Sequence, residues 1–235
     1  MEGREILRVE GIVKKFGDFV ALNGVNLSIF SDGITSIIGP NGAGKTTLIN
    51  VITGRLKPDK GKVFFMGMDI TGMSPHKIVK LGIARTFQII NLFTSLTVYQ
   101  NVLIASLSRG KNANPDVDSI LSKLHLEKYR DLEVYKLPHG IQRIVEIAVA
   151  LATKPKLLFL DEPTAGLNVN EKEEVISVIK SLGSEIPIVL VEHDMDVVFN
   201  ISKRIIVMNR GEVLAEGSPN DIAEDKRVRE IYLGE

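Results

Sequence analysis

The sequence predicts an α/β domain: a largely parallel sheet flanked by helices, with an antiparallel β portion near the N-terminus and a helical insertion. Ile34–Ile38, Leu157–Leu160 and Pro187–Val191 are short apolar runs, the pattern of strands buried on both faces. Segments of helical spacing follow the first run and lie between the other two, which is how parallel strands are joined. From about Ile89 to Ala152 the chain changes texture and offers candidate helices without strands.

In chain order, Leu7 and Val9, then Val25, Leu27 and Ile29, alternate with polar or small residues as half-buried strands do. Ile34–Ile38 ends in Gly-Pro-Asn-Gly, a buried strand running into a loop. From Lys45, the residues Leu48, Ile49 and Ile52 fall on one helical face. Lys57-Pro-Asp-Lys-Gly61 is a turn, with Pro58 presetting one backbone angle and Gly61 taking the exit geometry, and Lys62–Met66 resumes as strand. Val98, Val102 and Ala105 predict one helix of the insertion, and Val117, Ile120, Leu121 and Leu124 a second. Ser108–Asp116 forms the loop between them, and Ile141–Ala152 the third helix. Beyond it the order is strand (Leu157–Leu160), helix (Glu171–Leu182), strand (Pro187–Val191) and helix (Met195–Ser202). Arg204–Met208 and Val213–Glu216 flank a hairpin turn, and Ser218-Pro219 is a helix start, cap followed by proline.

Composition excludes several function classes. The 235 residues are 44% hydrophobic and 25% charged, the balance of an ordinary globule. Lys plus Arg equals Asp plus Glu at 29 each, which argues against bulk attraction to nucleic acid or anionic lipid. With no cysteine there is no disulfide framework, thiolate nucleophile or Cys-ligated zinc. No apolar run approaches the ~18 residues of a membrane span. Met1-Glu-Gly-Arg-Glu lacks the apolar stretch of a signal peptide, so the expectation is a chain that neither crosses a membrane nor leaves the cell.

Gly39-Pro-Asn-Gly-Ala-Gly-Lys45-Thr46 fits G-x-x-x-x-G-K-[ST], after an apolar strand and before a periodic helix. Such glycines let backbone N–H groups turn towards a phosphate while the helix offers its positive end. Gly39, Asn41, Gly42, Ala43, Gly44, Lys45, Thr46 and Thr47 are therefore the expected nucleotide contacts. Lys45 reaches the β- and γ-phosphates, and Thr46 offers its hydroxyl to Mg²⁺. Asp161 and Glu162 end the apolar run Leu157–Leu160, read as a strand beside the phosphate-loop strand. Ligands bind at that edge of an open parallel sheet. There Asp161 would serve Mg²⁺ and Glu162 would act as general base on water, where capping of the next helix is the bland alternative.

With these motifs in order, the chain resembles the ATP-binding subunits of ABC transporters over essentially its whole length. The resemblance implies a P-loop NTPase (RecA-like) fold and a single ABC ATPase domain spanning 1–235. Residues 1–88 and 153–235 would form the nucleotide-binding core, and 89–152 the helical signature subdomain. Gln88, after Ile83-Ala-Arg-Thr-Phe87, looks like the glutamine that joins core to insertion and senses Mg²⁺ and the attacking water. His193, in Val191-Glu-His-Asp194, resembles the switch histidine on the γ-phosphate. Phe16 stands where the family places an aromatic against adenine, with core packing as the rival reading. Leu137-Pro-His-Gly140 occupies the place of LSGGQ, so Pro138, His139 and Gly140 would face ATP across a head-to-tail dimer. Pro138 replaces the serine, His139 a glycine and Ile141 the glutamine. Asn168 ends the dimer-contacting loop Ala165–Asn168, where aspartate is usual. The apolar stretch Ile89–Leu96 either helps form a groove for a permease helix or packs the insertion.

Arg85-Thr-Phe-Gln88, Leu137-Pro-His-Gly140, Asp161-Glu-Pro-Thr-Ala-Gly-Leu-Asn168, Glu192-His-Asp-Met195 and Tyr232-Leu-Gly-Glu235 look most like the ATPases of branched-chain amino-acid importers. That likeness implies ATP and Mg²⁺ as ligands and a second ATPase subunit in a heterodimer. It also implies transmembrane permease subunits, indirectly a substrate-binding protein, and a peripheral place on the cytoplasmic face of the cell membrane, with no nucleic acid. The alternatives are an ABC transporter of other cargo, a soluble non-transport ABC ATPase, and a nucleotide-sensing module that has lost hydrolysis. Zero net charge and a single cassette weigh against the second, and the presence of Glu162 and His193 against the third.

Overall fold

Period-two patterning near the N-terminus produces a hairpin of β1 (Glu5–Phe16) and β2 (Phe19–Phe30), antiparallel with Leu7 opposite Ile29 and Val9 opposite Leu27. The structure, a computed structural model, describes residues 3–86, 91–108 and 116–233. After β3 (Ile34–Ile38) and α1 (Lys45–Ile52) come β4 (Lys60–Phe65) and the short β5 (Met68–Asp69). These complete a four-stranded antiparallel sheet of order β2-β1-β4-β5. Then α2 (Pro75–Leu81) leads into β6 (Ile83–Arg85). Ser74 and Pro75 start α2 with the same cap-then-proline signal that Ser218-Pro219 gives later, although too few apolar residues follow to make the helix legible.

The helical segment holds α3 (Val98–Leu107), α4 (Val117–Lys123) and α5 (His139–Ala152). Thr97 and Gln100 start α3 with a reciprocal capping box. The buried Asn101 amide is satisfied locally, receiving the Phe93 N–H at 2.9 Å and donating to the Thr97 carbonyl at 2.9 Å. The chain then alternates through β7 (Leu157–Asp161), α6 (Val169–Gly183), β8 (Ile188–Val191) and α7 (Met195–Ile201). The hairpin of β9 (Arg204–Asn209) and β10 (Glu212–Gly217) follows, then α8 (Pro219–Glu224) and α9 (Lys226–Leu233).

The second sheet has the order β10-β9-β3-β8-β7-β6, with every neighbour parallel except β10 on β9. This corrects one expectation. The strand ending in Asp161 does not lie beside the phosphate-loop strand: β8 separates them, pairing Ile34 with Ile188 on one side and Asp161 with Val191 on the other. All three strands are buried along their whole length, so burial patterning alone does not distinguish their places.

Burial on both faces explains the apolar runs. Leu157 and Phe159 face α1 and the antiparallel sheet, packing with Leu48, Ile49 and Val63, whereas Leu158 and Leu160 face the other way among Ile144, Ala148 and Val175. Val102, Leu121 and Ile144 of the helical segment belong to that second cluster, so α3, α4 and α5 share a continuous core with the lower face of the sheet. A third cluster seats α7, α8 and α9 against β9 through Ile205, Val198, Ile222 and Val228. This is the P-loop NTPase fold with an antiparallel β portion and a helical insertion.

Candidate functional site

The phosphate loop bridges the end of β3 and the start of α1, and two of its glycines are fixed by close approach. A Cβ on Gly39 would lie 2.3 Å from the Met208 carbonyl oxygen. One on Gly44, whose φ is +101°, would lie 2.7 Å from the Ala21 carbonyl oxygen. Only glycine meets both demands. Gly44 caps α1 with no side-chain bond, so the helix's first N–H groups are presented at the loop. Loop residues Asn41 to Thr47 line a cleft of about 320 Å³ together with Phe19, Ala21, Glu162 and His193. Thr46 is exposed in it and Thr47 half-buried.

Lys45 is 6% exposed, and its ammonium donates to the Gly39 carbonyl at 2.6 Å and the Pro40 carbonyl at 3.1 Å. Burial lowers its pKa from the ordinary lysine value, opposed by the nearby Glu162 and Asp161 carboxylates. In this state the lysine is part of the loop rather than an arm directed outward.

Opposite the loop, the C-terminal end of β7 carries the two carboxylates. Asp161 is buried, its Oδ2 receiving the Arg85 guanidinium at 2.7 Å, while Arg85 also donates to Asn50 Oδ1 at 2.6 Å. Desolvation lowers the Arg85 pKa, countered by Asp161. Glu162 turns at φ +47°, a left-handed conformation uncommon outside glycine and concentrated at functional sites. Its N–H is held by the Val191 carbonyl at 2.9 Å, and its Oε1 lies 2.6 Å from His193 Nε2. The adjacency of β7 and β8 thus brings together residues far apart in sequence.

Gln88 lies outside the described residues, as do Phe87, Ile89 and Ile90. Phe16 ends β1 opposite Phe19 and is 48% exposed, with the Lys14 ammonium 5.6 Å from its ring centre, which excludes core packing. Phe19, rather than Phe16, lines the cleft. No periodicity singles it out, because it stands at a hairpin corner.

The expected dimer-facing residues meet within the chain. Pro138 is the N-cap of α5, and His139 and Gly140 open its first turn, so this helix begins two residues before the expected Ile141. The Gly140 N–H donates to Glu171 Oε1 at 3.1 Å, while Asn168 caps α6 through a reciprocal box with the same Glu171. These N–H donors, Gly140 first, hold the Glu171 carboxyl below its usual pKa. Ile141 is 4% exposed and packs in the core, so its side chain makes no polar contact where the resembling family has glutamine. Sequence reasoning gave no roles to Arg85, Glu171 and Glu192, whose significance arises from neighbours set by strand order and helix packing.

Among the described residues, no cluster of three or more His, Asp or Glu forms a metal-binding group. Nor is any described helix long and apolar enough to cross a membrane.

The family described as "ABC transporter" matches residues 22–165, and that described as "Branched-chain amino acid ATP-binding cassette transporter" matches residues 212–235. The chain is 38% identical to the high-affinity branched-chain amino acid transport ATP-binding protein BraF of Pseudomonas aeruginosa, with 99% of each chain covered. It is 37% identical to the corresponding protein LivG of Escherichia coli K12, covering 98% of each. Among solved structures it is similar to an ABC transporter cassette in an ADP conformation, with TM-score 0.88 and 38% identity over 98% of this chain and 99% of the other. A nucleotide-free cassette matches with TM-score 0.87 and 38% identity, covering 98% of this chain and 100% of that one.

Proposed function

The chain belongs to the ABC transporter family of ATP-binding, ATP-hydrolysing subunits, and from that premise we propose that it powers an importer for branched-chain amino acids. The cargo rests on the proteins so named that match it at 37–38% identity over nearly their full length. The chemistry rests on one observation: Glu162 and His193 meet at 2.6 Å on the wall of the cleft that the phosphate loop lines.

In this reading the phosphate loop, Gly39 and Asn41 to Thr47, receives the triphosphate. Lys45 exchanges the Gly39 and Pro40 carbonyls for the β- and γ-phosphates, and Phe16, exposed at the hairpin corner opposite Phe19 and outside the phosphate cleft itself, stacks on adenine. Glu162 takes a proton from the attacking water, oriented by His193, which also donates to the γ-phosphate. Gln88 completes the line from core to helical segment. Catalysis is mostly positioning and charge stabilisation. The Thr46 hydroxyl at the start of α1 and the Asp161 carboxylate at the end of β7, one oxygen of which receives Arg85, are hard oxygen donors, which suits an ion that keeps most of its waters. Mg²⁺ held there, with Gln88, would neutralise charge on the β- and γ-oxygens. Residues 89–152 form the helical segment that carries the signature. Pro138, His139, Gly140 and Asn168 face a second ATPase, and the assembly sits on permease subunits at the cytoplasmic face of the membrane.

The test is uptake by the native complex, purified from membrane with its permease and binding protein and placed in ATP-loaded vesicles. Leucine, isoleucine and valine are expected to enter and to compete with one another. A complex that ignores all of them and takes another class of solute contradicts the cargo assignment.

A further inference from the structure

Glu162 and His193 stand on separate loops, and the 2.6 Å contact between them requires both loops to be held in register. The residue between β8 and His193 is Glu192, whose side chain is buried at 4% exposure. Its Oε1 receives the Thr164 backbone N–H at 3.0 Å and the Thr164 hydroxyl at 2.6 Å. Its Oε2 receives the backbone N–H of His193 at 3.1 Å. Thr164 lies two residues beyond Glu162, so one carboxylate ties the loop bearing the base to the loop bearing the histidine. On the other flank of His193, Asp194 Oδ2 receives the Lys172 ammonium at 2.6 Å, and Oδ1 caps α7 through the Asp196 and Val197 N–H groups. Both clamps end on the segment from Thr164 to Lys172.

A buried carboxylate is costly unless hydrogen-bonded, and an apolar residue in the same space is often at least as stabilising. What an apolar residue cannot do is tie two loops by directed bonds, here two to Thr164 across the gap and one to the neighbouring His193 N–H. We propose that Glu192 is a positioning residue for ATP hydrolysis, holding His193 against Glu162 by tying its loop to Thr164. The proposal rests on the catalytic reading of Glu162 and His193 above.

The experiment measures phosphate release by the full chain assembled with its membrane subunits. Glu192→Gln is expected to lower kcat about tenfold and change the KM for ATP less than about twofold, the signature of lost positioning rather than lost binding. Thr164→Val, which removes the hydroxyl alone, should give a smaller loss of the same kind, and Thr164→Ser should restore wild-type turnover. In a His193→Ala background, Glu192→Gln should add no further loss, because the residues act as a unit. A second readout needs only the isolated chain. The His193 ring proton resonance should respond to Glu162→Gln in the wild type and lose that response in Glu192→Gln. If Glu192→Gln does not fold, as judged by its melting curve, Thr164→Val carries both measurements. Impaired His193→Ala alongside unimpaired Glu192→Gln and Thr164→Val, or a full additional loss in the His193→Ala background, overturns the clamp. Wild-type turnover in His193→Ala overturns instead the catalytic reading of His193 on which the clamp depends.

Discussion

Lys45 has two sets of partners available to it, the loop carbonyls it holds at 2.6 and 3.1 Å and the phosphates it would hold with ATP bound. Lys45→Ala should weaken ATP binding about a hundredfold, the scale of losing charge-assisted bonds. The fold should survive with a melting temperature about 4 °C lower or less, since what is lost is two hydrogen bonds to loop carbonyls, one of them only part-buried. Titration calorimetry with a thermal melt checks both, and unchanged affinity in a folded variant would remove the lysine from the phosphate site. At this scale the sequence was informative about the loop and silent about its supports. The glycine spacing marks the cradle because close backbone approach excludes other residues at Gly39 and Gly44. Nothing local marks Arg85 as the partner of Asp161, because that pairing arises only when β6 lies against β7.

Elements were legible where burial alone dictated them. Ile34–Ile38 and Leu157–Leu160 read as strands because both faces are covered: alternate residues of the second run feed two clusters, and Ile34, Ile37 and Ile38 of the first reach three. Strand order was not legible, and β8 came between the strands expected to be neighbours, because side-chain pattern reports burial and not lateral place. Short α2 was missed, with Ile78 its single buried residue. The pairing of α6 with the loop after β8 through Lys172 and Asp194 gives an element-scale prediction. The Lys172 bond, foremost, lowers the Asp194 pKa below its usual value. The folded state therefore binds fewer protons at Asp194 than the unfolded state in acid. The contribution of the pair is full above about pH 5 and is lost as pH falls below about 4, through the folded-state value. Lys172→Met should thus be less stable than wild type at about pH 7, with the gap closing below about pH 4. Denaturant unfolding across that range measures it, and a gap constant with pH would mean the pair contributes no charge-dependent stability.

Over the whole molecule, the chain has an asymmetric set of parts. Its own phosphate loop, Asp161, Glu162 and His193 are all present, whereas in the segment proposed as its signature Pro138 stands where the family has serine and a core-packed Ile141 where it has glutamine. In the proposed head-to-tail heterodimer, ATP on Lys45 faces the partner ATPase's signature and forms the stronger site, and ATP on the partner faces Pro138 and Gly140. Gly140 N–H is engaged by Glu171 within the chain, so the signature must release that bond to receive a phosphate. Glu162 is the proposed base at the stronger site, and one substitution separates binding from chemistry there. In the complex assembled with its permease and second ATPase, Glu162→Gln should leave ATP affinity nearly unchanged. It should lower phosphate release by about 10²–10⁴, more than the matching change in the second ATPase. Retained turnover in Glu162→Gln would move the base elsewhere, and equal losses from the two glutamate changes would mean that the two ATP sites are equivalent.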